Sequence, residues 1–138
     1  MKIATSTLLA ITLGLVSIIF GASAVYAGPV EECQKTTANE IETGQCLQDT
    51  LTTVDAVLDS AFASAQAAAD ELDAVTGRPA ARQALERSES AWHDYRTINC
   101  LVPAAMAAGA SGSGNFTLAC QIDMARARTD ELQAMAHR

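Results

Sequence analysis

The chain has 138 residues, 49% of them apolar but only 4% aromatic, with four cysteines and a formal net charge of −7. That balance argues against nucleic acid, whose binding relies on clustered Lys and Arg against phosphate, and favours a basic partner or plain solubility. The length bounds the chain to one modest domain, with little core to spare.

Lys2 followed by an apolar run from Leu8 to Phe20, too short to span a bilayer as a mature helix, reads as a secretory signal. Val25-Tyr26-Ala27 fits cleavage after Ala27, with Ala22-Ser23-Ala24 as the alternative site, and no cysteine stands at either cut. The expectation is therefore a signal over residues 1–27 and an exported domain over 28–138, periplasmic or secreted, with no membrane anchor after signal removal. Loss of Lys2 takes the net charge from −7 to −8. Cys33, Cys46, Cys100 and Cys120 are an even set with no C-x-x-C pair, so disulfides are the default, and three pairings are open. His93 and His137 lie too far apart for a zinc-ligand spacing, so neither a metal nor another cofactor is expected.

From Ile41, apolar residues recur at Leu47, Leu51, Val54, Leu58, Phe62, Ala65, Ala69 and Leu72, in the steps of three and four that define an amphipathic helix. Thr37-Ala38-Asn39-Glu40 has capping-box form at its start, and Gly77 with Pro79 supplies its end, giving nine or ten turns. Pro79 suits the first turn of a second helix, which carries Ala81, Leu85, Trp92 and Tyr95 on one face with Ser88 as a small gap and stops near Cys100. Pro103 then blocks continuation, and Ala105 to Phe116 reads as a glycine-serine loop with at most a helical turn. A third helix resumes around Thr117 with Leu118, Ile122, Ala125, Leu132 and Met135 as its stripe, and Arg126 and Arg128 suit its carboxyl-terminal half. The expected fold is a small all-α domain of three helices, the first of them long, stapled by two disulfides.

The stretch Ala91 to Cys100 holds the sole tryptophan, a tyrosine, an arginine and a cysteine. At ~100° per residue Arg96 lies about 40° from Trp92, at the edge of the apolar face, and Asp55 lies at the matching edge of the first helix. A buried guanidinium needs a partner, and Asp55 across the interface or Glu89 on the same helix would serve. Trp92 and Tyr95 are read as core filler and Arg96 with Asp55 as a clamp; an exposed aromatic anchor for a partner is the competing reading.

The pattern W-x-x-Y-R-x-x-C, after a capped helix bearing a cysteine and before a glycine-serine loop and another cysteine, resembles the LprI-type lysozyme-inhibitor domain of small exported bacterial proteins. The resemblance spans Cys33 to Leu132 and rests on Cys46, Asp55 and Leu58, then Ala91-Trp92, Tyr95-Arg96 and Cys100, then Cys120, Arg128 and Leu132. This chain departs from the usual pattern at Asp59, Phe62, Glu89 and Ala125. The resemblance implies pairing of neighbouring cysteines, Cys33 with Cys46 and Cys100 with Cys120, and residues that determine the fold rather than a reaction.

It also implies inhibition of a lysozyme, a reading the acidity permits because a chain at −8 is steered toward a basic enzyme. Candidate contacts are the loop Gly109 to Asn115, through Ser111, Ser113 and Asn115, and an acidic rim of Asp59, Asp70 and Asp73 on the first helix. The alternative is a non-enzymatic envelope accessory or immunity-like binding protein. An enzyme is the weakest reading: His93 stands between Trp92 and Asp94 with no nucleophile elbow in the sequence, and the cysteines have structural spacing.

Overall fold

In the computed structural model, which describes residues 28–137, the chain is all-helical. The expected signal over 1–27 lies outside the described residues. Five helices follow in order: α1 (Pro29–Gln34), α2 (Glu40–Thr76), α3 (Ala81–Asn99), α4 (Leu101–Met106) and α5 (Ser113–Ala136). The three long helices expected from periodicity are α2, α3 and α5; α1 and α4 have too few residues to carry a readable period.

Helix α2 starts two residues later in capping register than Thr37-Glu40 suggests. Asn39 is the cap, its Oδ1 accepting from the N–H groups of Ile41 and Glu42, while Glu42 reaches back to accept from Ala38 N–H at 2.8 Å. The helix ends at Gly77, whose φ of 64° lies in the left-handed region that side chains disfavour. Pro79 falls in the turn before α3 rather than in its first turn, and Ala80 at the cap position of α3 has no hydrogen-bonding side chain to offer.

Helices α2 and α5 run parallel and form the principal pairing, because α3 carries the chain back between them. The order of contacts shows this: Asn115 meets Glu40, Ile122 packs with Leu47 and Leu51, and Ala125 and Leu132 pack with Leu58, Ala61 and Ala65. Small Ala61, Ala65 and Ala125 at the seam let the two backbones approach closely, while Leu47, Leu58, Ile122 and Leu132 are fully enclosed. Because α5 is shorter than α2, the last turns of the α2 stripe outrun it, and Leu72 is left exposed.

Two disulfides staple the ends, Cys33 to Cys46 and Cys100 to Cys120. The first ties α1 to α2, and α1 is also held by Glu32, whose carboxylate accepts two hydrogen bonds from Arg126 of α5 at 2.8 and 3.1 Å. The second ties the end of α3 to α5.

Pro103 does not stop the helical path. It is the third residue of α4, where its missing N–H belongs to the first turn and needs no intrahelical partner. The loop is accordingly shorter than expected, and α5 begins at Ser113, four residues before Thr117, after Gly112 at φ 79°. A side chain at Gly112 would also collide with Glu40, whose Oε2 lies 2.5 Å from an ideal Cβ there.

Candidate functional site

The inward face of α3 differs from the stripe read in the sequence. The residues that face α2 and α5 are Leu85, Glu89, Trp92 and Arg96, spaced by four, three and four, and the most buried of them are the two charged ones. Tyr95, expected in the interior, is 58% exposed. It lies one residue and so ~100° off the line that Arg96 occupies. Trp92 is half-buried against the α2–α5 core.

Arg96 Nη2 donates to Asp55 Oδ1 at 2.8 Å, and its guanidinium carbon lies 5.4 Å from the centre of the Trp92 ring. The indole face provides negative potential to a guanidinium that is otherwise almost enclosed, and whose Nε has no hydrogen-bond partner among the described residues. Asp55 and Arg96 thus link α2 to α3, with Trp92 stacked beside the link.

Glu89 does not serve Arg96. Its Oε2 accepts from Arg128 Nε at 3.0 Å and lies 2.9 Å from Nη2, with both side chains more than nine-tenths buried. Arg128 also donates to Glu131 at 2.9 Å and to Ser88 Oγ at 3.2 Å. This second link, α3 to α5, escaped the sequence reading. Its signal was there, since Arg128 falls about 40° from Leu132 at ~100° per residue, inside the apolar stripe. α3 is therefore docked on the α2–α5 pair by the Asp55–Arg96 and Glu89–Arg128 contacts, alternating along its inward face with Leu85 and Trp92, which pack against the core.

Of the residues read as partner contacts, several are engaged within the fold. Asp73 caps α3 from α2: its Oδ1 accepts from the N–H groups of Ala80 and Ala81, and its Oδ2 from that of Arg82, at 2.9 to 3.1 Å. These bonds, that of Ala81 foremost, hold its carboxyl below the ordinary range. Asp70 pairs with Arg82 at 2.6 Å. Asn115 is not in a loop but in the first turn of α5, buried, donating to the Glu40 carbonyl at 3.2 Å and to its carboxylate at 2.9 Å. This close approach also accounts for Gly44 within α2, where a Cβ would lie 2.9 Å from Asn115 Oδ1. Asp59 and Ser111 remain exposed, and Ser113 is half-buried at the start of α5.

Burial and charge elsewhere add two features. Between α2 and α3 runs an apolar cleft of about 530 Å³ lined mostly by alanines with Leu72, Leu85 and Met135. On α5, burial pushes the Asp123 carboxyl above its ordinary value, with Arg126 opposing, whereas the Arg126 hydrogen bonds draw Glu32 below it. Among the described residues no group of three or more His, Cys, Asp or Glu could hold a metal ion, and no helix is long and apolar enough to cross a membrane.

The arrangement is thus one of docking contacts and staples, with exposed side chains on a rigid frame. Residues 32–132 match the family model described as "Lysozyme inhibitor LprI". No curated protein and no solved structure matched in the corresponding comparisons.

Proposed function

Because the chain belongs to the LprI lysozyme-inhibitor family, we propose that it is an exported inhibitor that binds a basic lysozyme and blocks peptidoglycan cleavage. The family match over residues 32–132 carries this reading, and it takes in all four cysteines and the Asp55–Arg96 and Glu89–Arg128 links. The disulfides fit an oxidising compartment, where a peptidoglycan-cleaving enzyme would be met.

The physics of such inhibition has two parts. Net charge sets the encounter: an acidic chain is drawn to a basic enzyme, and the attraction weakens as salt shortens the screening length to about 8 Å at physiological ionic strength. Steric obstruction then does the rest, since hydrolysis requires the glycan to lie between two carboxyl groups in an open cleft. No group on the inhibitor has to react.

The test is a peptidoglycan clearing assay against several lysozyme classes, with protein exported from the full-length sequence and fully oxidised. The expected result is dose-dependent inhibition of at least one class, weaker at raised salt. Well-folded protein that leaves every class untouched at high molar excess would overturn the reading in favour of a non-enzymatic envelope partner.

A further inference from the structure

The segment Thr97–Ile122 contains no Asp, Glu, Lys, Arg or His over 26 residues, in a chain where 18% of residues are charged. It comprises the last turn of α3, all of α4, the glycine-serine loop and the first turns of α5. Within it Ile98 is 68% exposed, Leu101 58%, Val102 52% and Met106 81%, and none belongs to either core cluster. Tyr95, just before the segment, adds an exposed ring of the type enriched at binding hot spots.

This ridge is fixed rather than loose. Cys100 keeps right-handed helical dihedrals and joins α3 to α4 without a loop. It is fully buried and bridged to Cys120, and the far end of the loop is held by the Asn115 bonds to Glu40. A preorganised apolar surface loses little freedom on binding.

Charge decides what it fits. A glycosidase cleft that holds two carboxyl groups repels any carboxylate brought into it, yet the chain as a whole is strongly acidic. The conflict disappears if the part that enters is the uncharged one while the acids stay outside, opposite the enzyme's basic surface. Two other occupants fit less well: a second copy carries the same net negative charge, and an anionic lipid surface would repel this one.

We propose that the uncharged ridge of Ile98, Val102 and Met106, flanked by Tyr95, enters the substrate cleft of the inhibited lysozyme. This rests on the lysozyme-inhibitor reading. The experiment compares Met106→Glu, Met106→Lys and Val102→Glu in exported, oxidised protein. Far-UV circular dichroism and the melting temperature should match the unsubstituted protein, because both positions are exposed.

The glutamates should weaken inhibition about 30-fold or more, the scale of a hot-spot loss, and Met106→Lys should weaken it markedly less, because the cleft acids attract the ammonium. Equal losses for Glu and Lys, or inhibition unchanged by any of the three, would overturn the assignment while leaving the inhibitor reading intact. Absence of inhibition by the unsubstituted protein would remove both. Light scattering and vesicle sedimentation complete the test: a dimer or a vesicle-bound form that Met106→Glu abolishes, with inhibition unaffected, would assign the ridge to a second copy or to lipid instead.

Discussion

Replacing Arg128 by Met should cost more than replacing Glu89 by Gln, although the two residues form one ion pair. Both are almost fully buried, at 6% and 5% exposure, so each has lost its hydration and depends on its partners. Those partners are unequal. Arg128 keeps Glu131 at 2.9 Å and Ser88 at 3.2 Å when Glu89 loses its charge, and a Gln amide oxygen still accepts from it. Among the described residues, Glu89 without Arg128 is left with the ion-pair contact to His93 Nε2, at 3.6 Å.

Leaving a buried charge uncompensated costs about 3–5 kcal/mol, whereas the weakened but satisfied contact costs about 1–2 kcal/mol. In a domain of this size about 1 kcal/mol corresponds to roughly 4 °C. Arg128→Met should therefore lower the melting temperature by about 12–20 °C, and Glu89→Gln by about 4–8 °C. The pair replaced together, Glu89→Leu with Arg128→Met, should return to within about 1 kcal/mol of the unsubstituted protein or exceed it. Thermal unfolding followed by circular dichroism, with urea titration as a check, measures all three. If Arg128→Met is no worse than Glu89→Gln, or the double variant no better than Arg128→Met alone, the pair is not the buried anchor of α3 described above.

Reduction of the α3–α5 staple by Cys100→Ser with Cys120→Ser should cost about 3 kcal/mol in unfolding free energy, read from urea titration against oxidised protein; an unchanged midpoint would contradict it. At Gly44, Ala should gain about 1 kcal/mol of helix propensity only once Asn115→Ala has removed the obstructing amide, so a double-mutant cycle should show coupling and additivity would refute the contact. For pH, the lowered carboxyls of Glu32 and Asp73 add stability above the unfolded carboxylate range that is lost as pH falls through their depressed values. Acid titration of Glu32→Gln should show a flatter decline. The raised Asp123 has the opposite sign: its ionised form is disfavoured at neutral pH and the penalty vanishes in acid, so Asp123→Asn should stabilise at pH 7 and not at pH 3.

Helix class, the extent of α2 and most of the buried stripe of α2 and α5 were legible in the sequence, because the interior selects apolar side chains at the period of the helix; the first turn of α5, from Ser113, was not, since its glycine and serine residues carry no such period. Leu47, Leu51, Leu58, Ala65, Ile122, Ala125 and Leu132 all fall where that period places them. The cysteine pairing was not legible from spacing, and entered through the family resemblance. Residues read as partner contacts fared differently: Asp73, Asp70 and Asn115 look like free polar groups in the sequence, and only the fold shows that a helix lacking its own cap, an arginine and a distant helix end claim them.

The inward face of α3 shows where sequence alone stops. Periodicity assumes that apolar residues point in, so it chose Tyr95 and passed over Glu89, while Arg96 was placed at the edge. The tertiary structure decides otherwise because Asp55 and Arg128 stand on two different helices, each within reach of one charge on the third. A sequence states which residues carry charge and how they are spaced along one helix. Whether a charge is solvated or buried depends on what another helix brings opposite it, and that is settled only when the helices pack.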